Sequence, residues 1–430
     1  MGVTIRYATA KIVSKGAVNY RDRVSGHGAL GGNSAIERGV GNSGERPPGV
    51  AGDGFPTCGL ARMVWRWADS MSGEPLTRTG STPLPRELRD LEHWLELAYD
   101  RRLTDGLPVL PPTRAVVDQL VAGSGRAAQE SLGEVPPRGG GATVEVIAAN
   151  AAMAGCTPDF MPALLAAVEA VLDPHFNLNG VQVTTHGCWP LLIVSGPLVE
   201  HLGMATAESV FNGGGSRASA ALGRALRLVL WNVGGAHPGE PVKEVFGHPG
   251  RYAYCAAEHR ETPWSALHES RGLGRDESAV TVFACESPHS VAFWGVGSDP
   301  EDRLGAVADS MHPRGSNNTH TMGEILVAFS PSEARHLQGH GYTRERVRER
   351  LFELSKCRVG AIRSRAGDAP VHYEWWPEEI DQADDEARVP IVDGPEAIHL
   401  MVAGADSIPW AAVCPGWGHL GGFAVTRAVR

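Results

Sequence analysis

The sequence predicts an α/β fold, a mixed sheet flanked by helices, with α+β as its near alternative. Short apolar runs of strand length alternate with longer stretches of helical period, which is the sequence pattern of that class. Two of the strand runs also echo each other. WPLLIVSGP (Trp189–Pro197) and ILVAFSP (Ile325–Pro331) are each an apolar run, a small residue and a proline, followed by a helix containing His-Leu (His201-Leu202, His336-Leu337). The echo predicts either two related halves, about 85–235 and 236–430, or two strands of one sheet with similar exits.

Residues 1–84 carry GHGALGGNS, GVGNSGERPPGVAGDG and TRTGSTPLP and little apolar period. Such a composition buries too little surface to offset its ordering entropy, so the segment is expected to be disordered. A translation start near Met63 or Met71 is the other reading of it. From about Pro85 to residue 430 a single large domain is expected. LPRELRDLEHWLELAYDRR places Leu88, Leu91, Trp94, Leu95 and Ala98 on one helical face. The following TDGLPVLPPTR holds a turn at Asp105-Gly106 and prolines that forbid helix, and it reads as a rigid pocket entrance or a plain connector. Helices are predicted over Val144–Gly155, Phe160–Leu172, Ser216–Asn232, Asp302–Met311, Ser332–Gly339 and Arg344–Lys356. Further strands are predicted at Tyr252–Ala257, Val280–Cys285 and Ala397–Ala403, with a Gly/Trp-rich end.

Composition excludes several functions. Residues 1–70 hold nine Lys/Arg against five Asp/Glu, a net +4, which leaves −14 on the rest of a chain whose formal charge is −10. A body that acidic is a poor nucleic-acid surface. No apolar run reaches the roughly 18 residues of a membrane helix, and the N-terminus lacks a secretory core, so a cytoplasmic protein off the membrane is expected. The seven cysteines include no CxxC pair, which argues against a disulfide framework or a zinc ribbon.

The chemistry-bearing residues gather at the joints between elements. Cys156 precedes Thr157-Pro158 at a predicted helix start, where the macrodipole favours a thiolate; an inert core thiol is the competing reading. In FNGGGSRASAALGR, Gly214, Gly215 and Ser216 open a helix whose N–H groups, with Arg217, would hold a small anion, or the stretch is an ordinary cap. The loop is neither a Walker loop nor GxGxxG, so no nucleotide is implied. His186 and Cys188 flank a glycine before the Trp189 strand. With His289 they are the candidate ligands for a transition metal, though without a recognised metal spacing. His248 sits in a rigid Pro/Gly turn and is a candidate acid/base, as is Glu258 at a strand end. Ser316, Asn317 and Asn318 form a polar turn suited to binding a substrate carbonyl or carboxylate, or to a plain left-handed turn.

DGLPVLPPT, EVIAANAAMAGCTPDFMP, NLNGVQVTTHG, PLLIVSGP, LGRALRLVLWNVGG, GHPGRY and the GSNN turn together resemble a family of bacterial proteins abundant in actinobacteria. The resemblance covers roughly residues 87–430. It implies association with small (seleno)cysteine proteins bearing a UGSC or CGSC motif, and it marks Asp105, Cys156, His186, Arg224, Asn232, His248, Glu258, Ser316, Asn317 and Asn318 as shared positions. This chain departs from the pattern at Gly187-Cys188-Trp189, where Pro and small residues are expected, at His259, and in a lengthened end. The resemblance implies no particular reaction. The expectation is an enzyme subunit acting on a small anionic metabolite through Cys156 and histidine acid/base or metal-ligand groups, with redox or thiol-transfer chemistry beside a (seleno)cysteine partner. The alternatives are a lyase or hydratase without a redox step, and a non-catalytic scaffold subunit of a heteromeric enzyme.

Overall fold

The computed structural model describes residues 86–213, 215–362 and 376–430. Residues 1–84, expected to be disordered, and Gly214 of the glycine loop lie outside the described residues. The described part is α/β, with twelve helices and mixed sheets among these residues.

Helix α1 (Arg86–Asp100) buries Trp94 and Ala98, and the Trp94 indole N–H donates to Val109 O at 2.9 Å. Helix α2 (Arg114–Gly123) starts at Thr113, whose side chain accepts from Val116 N. A hairpin of β1 (Ser131–Val135) and β2 (Gly140–Thr143), not expected from the sequence, leads into α3 (Val144–Ala154). One prediction is corrected at the next joint. Cys156 does not directly precede a long helix: a 3₁₀ turn, Pro158–Phe160, intervenes, and the Thr157 side chain makes no cap hydrogen bond to the backbone. Its hydroxyl faces the Asp159 carboxylate instead. Pro158 and Pro162 both lack an N–H, and α4 (Met161–Val171) begins only where Pro162 can occupy its first turn.

From Met161 the chain runs through one order of elements twice. The first pass is α4, α5 (Leu178–Val183), β3 (Trp189–Ser195), α6 (Leu198–His201), α7 (Arg217–Asn232), β4 (Cys255–Ala257), β5 (Ala279–Cys285) and β6 (His289–Ala292). The second begins with α8 (Pro300–Met311), α9 (Asn317–Thr321), β7 (Ile325–Phe329), α10 (Pro331–Gly339) and α11 (Arg344–Leu354). An insertion of β8 (Cys357–Arg358), α12 (Val359–Ile362) and β9 (Arg388–Val389) follows, before β10 (Ile398–Val402), β11 (Trp410–Pro415) and β12 (Val425–Ala428). In each pass the central strand pairs parallel with the strand after its helices, β3 with β4 and β7 with β10. It pairs antiparallel with the next, β3 with β5 and β7 with β11. The last strand crosses over: β12 completes the sheet of the first pass and β6 that of the second. The seam between the passes therefore falls between β6 and α8, not at residue 235.

The two four-stranded sheets lie face to face. Alternate residues of β7 point to opposite sides. Leu326 and Ala328 join the core of the first sheet, while Ile325, Val327 and Phe329 join the core beneath α8 and α11. Helices α4 and α7 pack on the first sheet, and α8 and α11 on the second. An isolated antiparallel bridge, Cys285 to Gly416, links the end of β5 to the residue after β11. Among the described residues no helix is long and apolar enough to cross a membrane.

Helix α7 meets the first sheet at van der Waals limit. A Cβ on Gly223 would lie 2.7 Å from the Ala253 carbonyl carbon and 2.9 Å from Tyr254 N. Gly223→Ala should therefore lose about 1–3 kcal/mol in urea unfolding, despite the gain of about 1 kcal/mol in helix propensity. A stabilised variant would contradict this packing.

Candidate functional site

The segment before β3, the inner face of α7 and the loop leading to β4 converge on Trp189. Trp189 is buried, with the Arg227 guanidinium 5.0 Å and the Arg251 guanidinium 4.0 Å from its ring centroid. Arg227 comes from α7, at a position otherwise apolar (Leu226, Leu228), and also lies 4.7 Å from the Trp231 ring. Arg251 forms an ion pair with Glu244. His248 packs edge-on against Tyr254 at 5.2 Å, and the Tyr254 hydroxyl donates to Glu286 O at 2.7 Å. Glu286 in turn holds His186, with Nε2 and Oε1 2.7 Å apart. Gly250 is required here, because a Cβ on it would press to 2.8 Å from the His248 ring.

What marks the cluster is the number of polar atoms left without partners. Gln182 Oε1, His186 Nδ1, Arg227 Nε and Nη1, Glu244 Oε1, His248 Nε2 and Arg251 Nε are all buried, and none has a hydrogen-bond partner among the described residues. Each such atom costs about 1–3 kcal/mol, and buried unsatisfied groups are few in ordinary native cores. Arg227 is the extreme case. It is 5% exposed and forms no ion pair among the described residues, with Asp105 acting on it only at a distance. Two cation–π contacts of about 1–2 kcal/mol each do not offset the several kcal/mol needed to bury an unpaired charge.

The electrostatics follow from that burial. Desolvation pushes the Arg227 guanidinium down to about 10. Desolvation and the neighbouring Arg227 charge push Arg251 to about 9, even with Glu244 against it. Both stay cationic at neutral pH. Burial also lowers the His248 imidazole, against an opposing pull from Glu286, so it is neutral there. Since a carboxylate only accepts, His186 carries its proton on Nε2 toward Glu286 and presents a lone pair at Nδ1. The cluster thus offers two cations for an anion and, in His186 and His248, two imidazoles.

Of the residues singled out in the sequence, His186, Cys188 and His248 meet in this cluster, and Cys156 and Glu258 do not. The thiolate expected at Cys156 is corrected: its Sγ is buried near Ala221 O, and burial pushes the thiol up to about 12, outweighing the Arg217 charge. Cys188 is likewise raised to about 12 by burial. Glu258 is fully buried at the other end of β4. It accepts from Leu267 N (2.8 Å) and Val402 N (3.4 Å) and lies 3.8 Å from Arg344.

The expected anion loop is engaged in local structure. Ser216 accepts from Ser219 N and donates to Gly203 O, Arg217 Nε donates to Gly155 O, and Gly215 takes a left-handed conformation. Asn317 and Asn318 tie the C-terminal segment to the start of β7, through Trp417 O and through Gly416 N, Met322 O and Glu324 O. Ser316 is buried beside them. His289 is exposed on β6. Among the described residues no three His, Cys, Asp or Glu side chains converge as metal ligands would.

Asp105, Arg224 and Asn232, marked by the resemblance, are engaged in holding local structure. Arg224 clamps the DGLP loop through Asp105 (2.9 Å), Leu107 O and Pro108 O, and Asn232 bridges Leu103 O and Asn150. Trp189, Arg227, Glu244, Arg251 and Glu286 were not anticipated. Only Arg227 left a sequence signal, a charge on the apolar face of a helix. No family model, curated protein or solved structure matches the chain.

Three outcomes follow from these environments. Iodoacetamide should label Cys156 in the native protein no faster than the other buried thiols, and rapidly only in denaturant; selective native labelling would contradict the raised thiol. Arg227→Met should stabilise the ligand-free protein by roughly 1–4 kcal/mol, measured by chemical denaturation, because it removes an unpaired buried charge. Burial outweighs the Arg344 charge and holds the Glu258 carboxyl at about 7 rather than 4.5. The folded chain thus keeps a proton that the unfolded chain releases, and stability should fall as pH rises from about 4.5 through 7. Glu258→Gln should flatten that part of the profile.

Proposed function

We propose that this protein is an enzyme acting by proton transfer on a small carboxylate, of the lyase or hydratase class, at the Trp189 cluster. The observation that carries the reading is Arg227, a buried guanidinium whose Nε and Nη1 have no hydrogen-bond partner among the described residues, in a cluster that also holds Arg251, His186 and His248. An anionic ligand supplies the missing counter-charge, so the stability lost in burying Arg227 becomes binding energy. In this reading Arg227 and Arg251 hold the carboxylate, the Nδ1 lone pair of His186 removes a proton, and Glu286 steadies the imidazolium that forms. His248, neutral at pH 7, accepts a hydrogen bond or relays a proton. Thiol-based redox chemistry loses support, because Cys156 and Cys188 are both held as thiols. The six described cysteines are all free, which suits a cytoplasmic setting.

A second reading has one observation in its favour. Phe246 is 97% exposed beside Val245, on the loop that carries Glu244 and His248. That apolar rim suits a partner chain closing over the site, such as the (seleno)cysteine protein implied by the resemblance.

Proton exchange separates these readings. Small hydroxy- and keto-acids incubated with the protein in deuterium oxide should include one whose α- or β-proton exchanges. His186→Gln should slow that exchange by at least about 10²-fold, and Arg227→Met should mainly raise KM. If no acid exchanges with the chain alone but one does after adding a partner, the second reading stands and the first falls.

A further inference from the structure

The two His-Leu pairs that follow the central strands differ in what comes after them. His201 closes α6, and the residue four places on is Ala205. His336 lies in the last turn of α10, and the residue four places on is His340, which caps that helix. Residues at i and i+4 share one face of a helix. The two imidazoles accordingly lie with ring centroids 4.5 Å apart, inclined at 52°.

Each ring commits one nitrogen to a backbone carbonyl. His336 Nε2 is 2.8 Å from Ser298 O, and His340 Nδ1 is 2.9 Å from His336 O. A carbonyl only accepts, so both of these nitrogens carry N–H. In the neutral rings the lone pairs then fall at His336 Nδ1 and His340 Nε2, which have no hydrogen-bond partner among the described residues. Donation of the second N–H to a carbonyl is what fixes ring and tautomer in histidines that ligate metals.

We propose that His336 and His340 chelate a divalent transition-metal ion of the copper, nickel or zinc class at the C-terminal end of α10. Two imidazoles on one tetrahedral ion, each nitrogen about 2.0–2.1 Å from it, set their ring centroids about 5 Å apart. The separation already present is close to that. The helix end contributes as well, because the partial negative charge of its last carbonyls favours a cation. Burial, and after it the Arg303 charge, lower the His336 imidazole, which is neutral and able to ligate at pH 7. The same Arg303 would repel a metal ion, but it is ion-paired with Glu333, as Arg335 is with Asp406.

The site is an open one. His340 is exposed, and no third His, Cys, Asp or Glu converges on the pair among the described residues, so water completes the coordination. It is also independent of the Trp189 cluster. Because His336 holds Ser298, in the segment that leads into α8, a bound ion would stiffen the joint between the two passes of the chain.

Calorimetric titration of the full chain with copper(II) alone, at pH 7 in a non-chelating buffer, tests this. The tightest site should take one ion, with two nitrogen ligands in its electron paramagnetic resonance signal. His336→Gln and His340→Gln should each weaken that site at least about tenfold, since one imidazole lacks the gain from chelation. The exposed position of His340 spares the fold in its variant. His201→Gln, the solitary counterpart, should bind as wild type does. The proposal is overturned if wild type binds copper(II) no more tightly than the His336→Gln/His340→Gln double variant. It is overturned equally if either single variant keeps the wild-type affinity, or if His201→Gln weakens binding as much as they do.

Discussion

The structure depends on the exchange of edge strands between two sheets that face each other. Each sheet is covered on its outer side by helices and would otherwise leave its inner side in water. Here the inner side of one is the cover of the other, so Leu326 and Ala328 of the second sheet complete the core of the first. The exchange makes the arrangement cooperative. β6 is made by the first pass of the chain and pairs in the second sheet, and β12 does the converse. Neither sheet has its full complement of backbone hydrogen bonds until both passes are folded.

That arrangement also decides where charge can be buried. The segments entering β3 and β7 lie at corresponding ends of the two sheets, where α7 and α11 deliver arginines against the strands. Arg227 there is shielded from water, with Nε and Nη1 free of hydrogen-bond partners among the described residues, whereas Arg348 is half-buried. The two sheets differ in the histidine near that end. In the first, the imidazole of His186 retains a lone pair. In the second, His399 is bound on both sides by Arg271 and Glu324. The thiols follow a different course. At Cys156 and Cys188 desolvation outweighs the Arg217 and Arg251 charges and holds both protonated.

Much of the architecture was legible from periodicity. Helices α1, α3, α7, α8 and α11 and strands β3, β5, β7 and β10 follow from apolar patterns and prolines that act locally. The similarity between WPLLIVSGP and ILVAFSP marked the central strands of the two sheets. β6, β11 and β12 were not legible, because their short sequences carry little apolar alternation and they form only by pairing with strands far away in the chain. The 3₁₀ turn after Thr157 was missed because two prolines four residues apart each shift where a helix can start. The sequence alone cannot show which of them prevails.

By itself, then, the sequence determined the fold class, the central strands, and the presence of reactive residue types at His186, Cys188 and His248. Only the tertiary structure decided what those residues can do. Reactivity depends on desolvation and on through-space neighbours, and both are set by contacts between distant segments. Glu286 orients His186 from a hundred residues away, and Arg251 reaches Trp189 through a loop that no periodicity describes. Cys156 shows the same rule in reverse, since a position that local rules would activate is silenced by what packs over it.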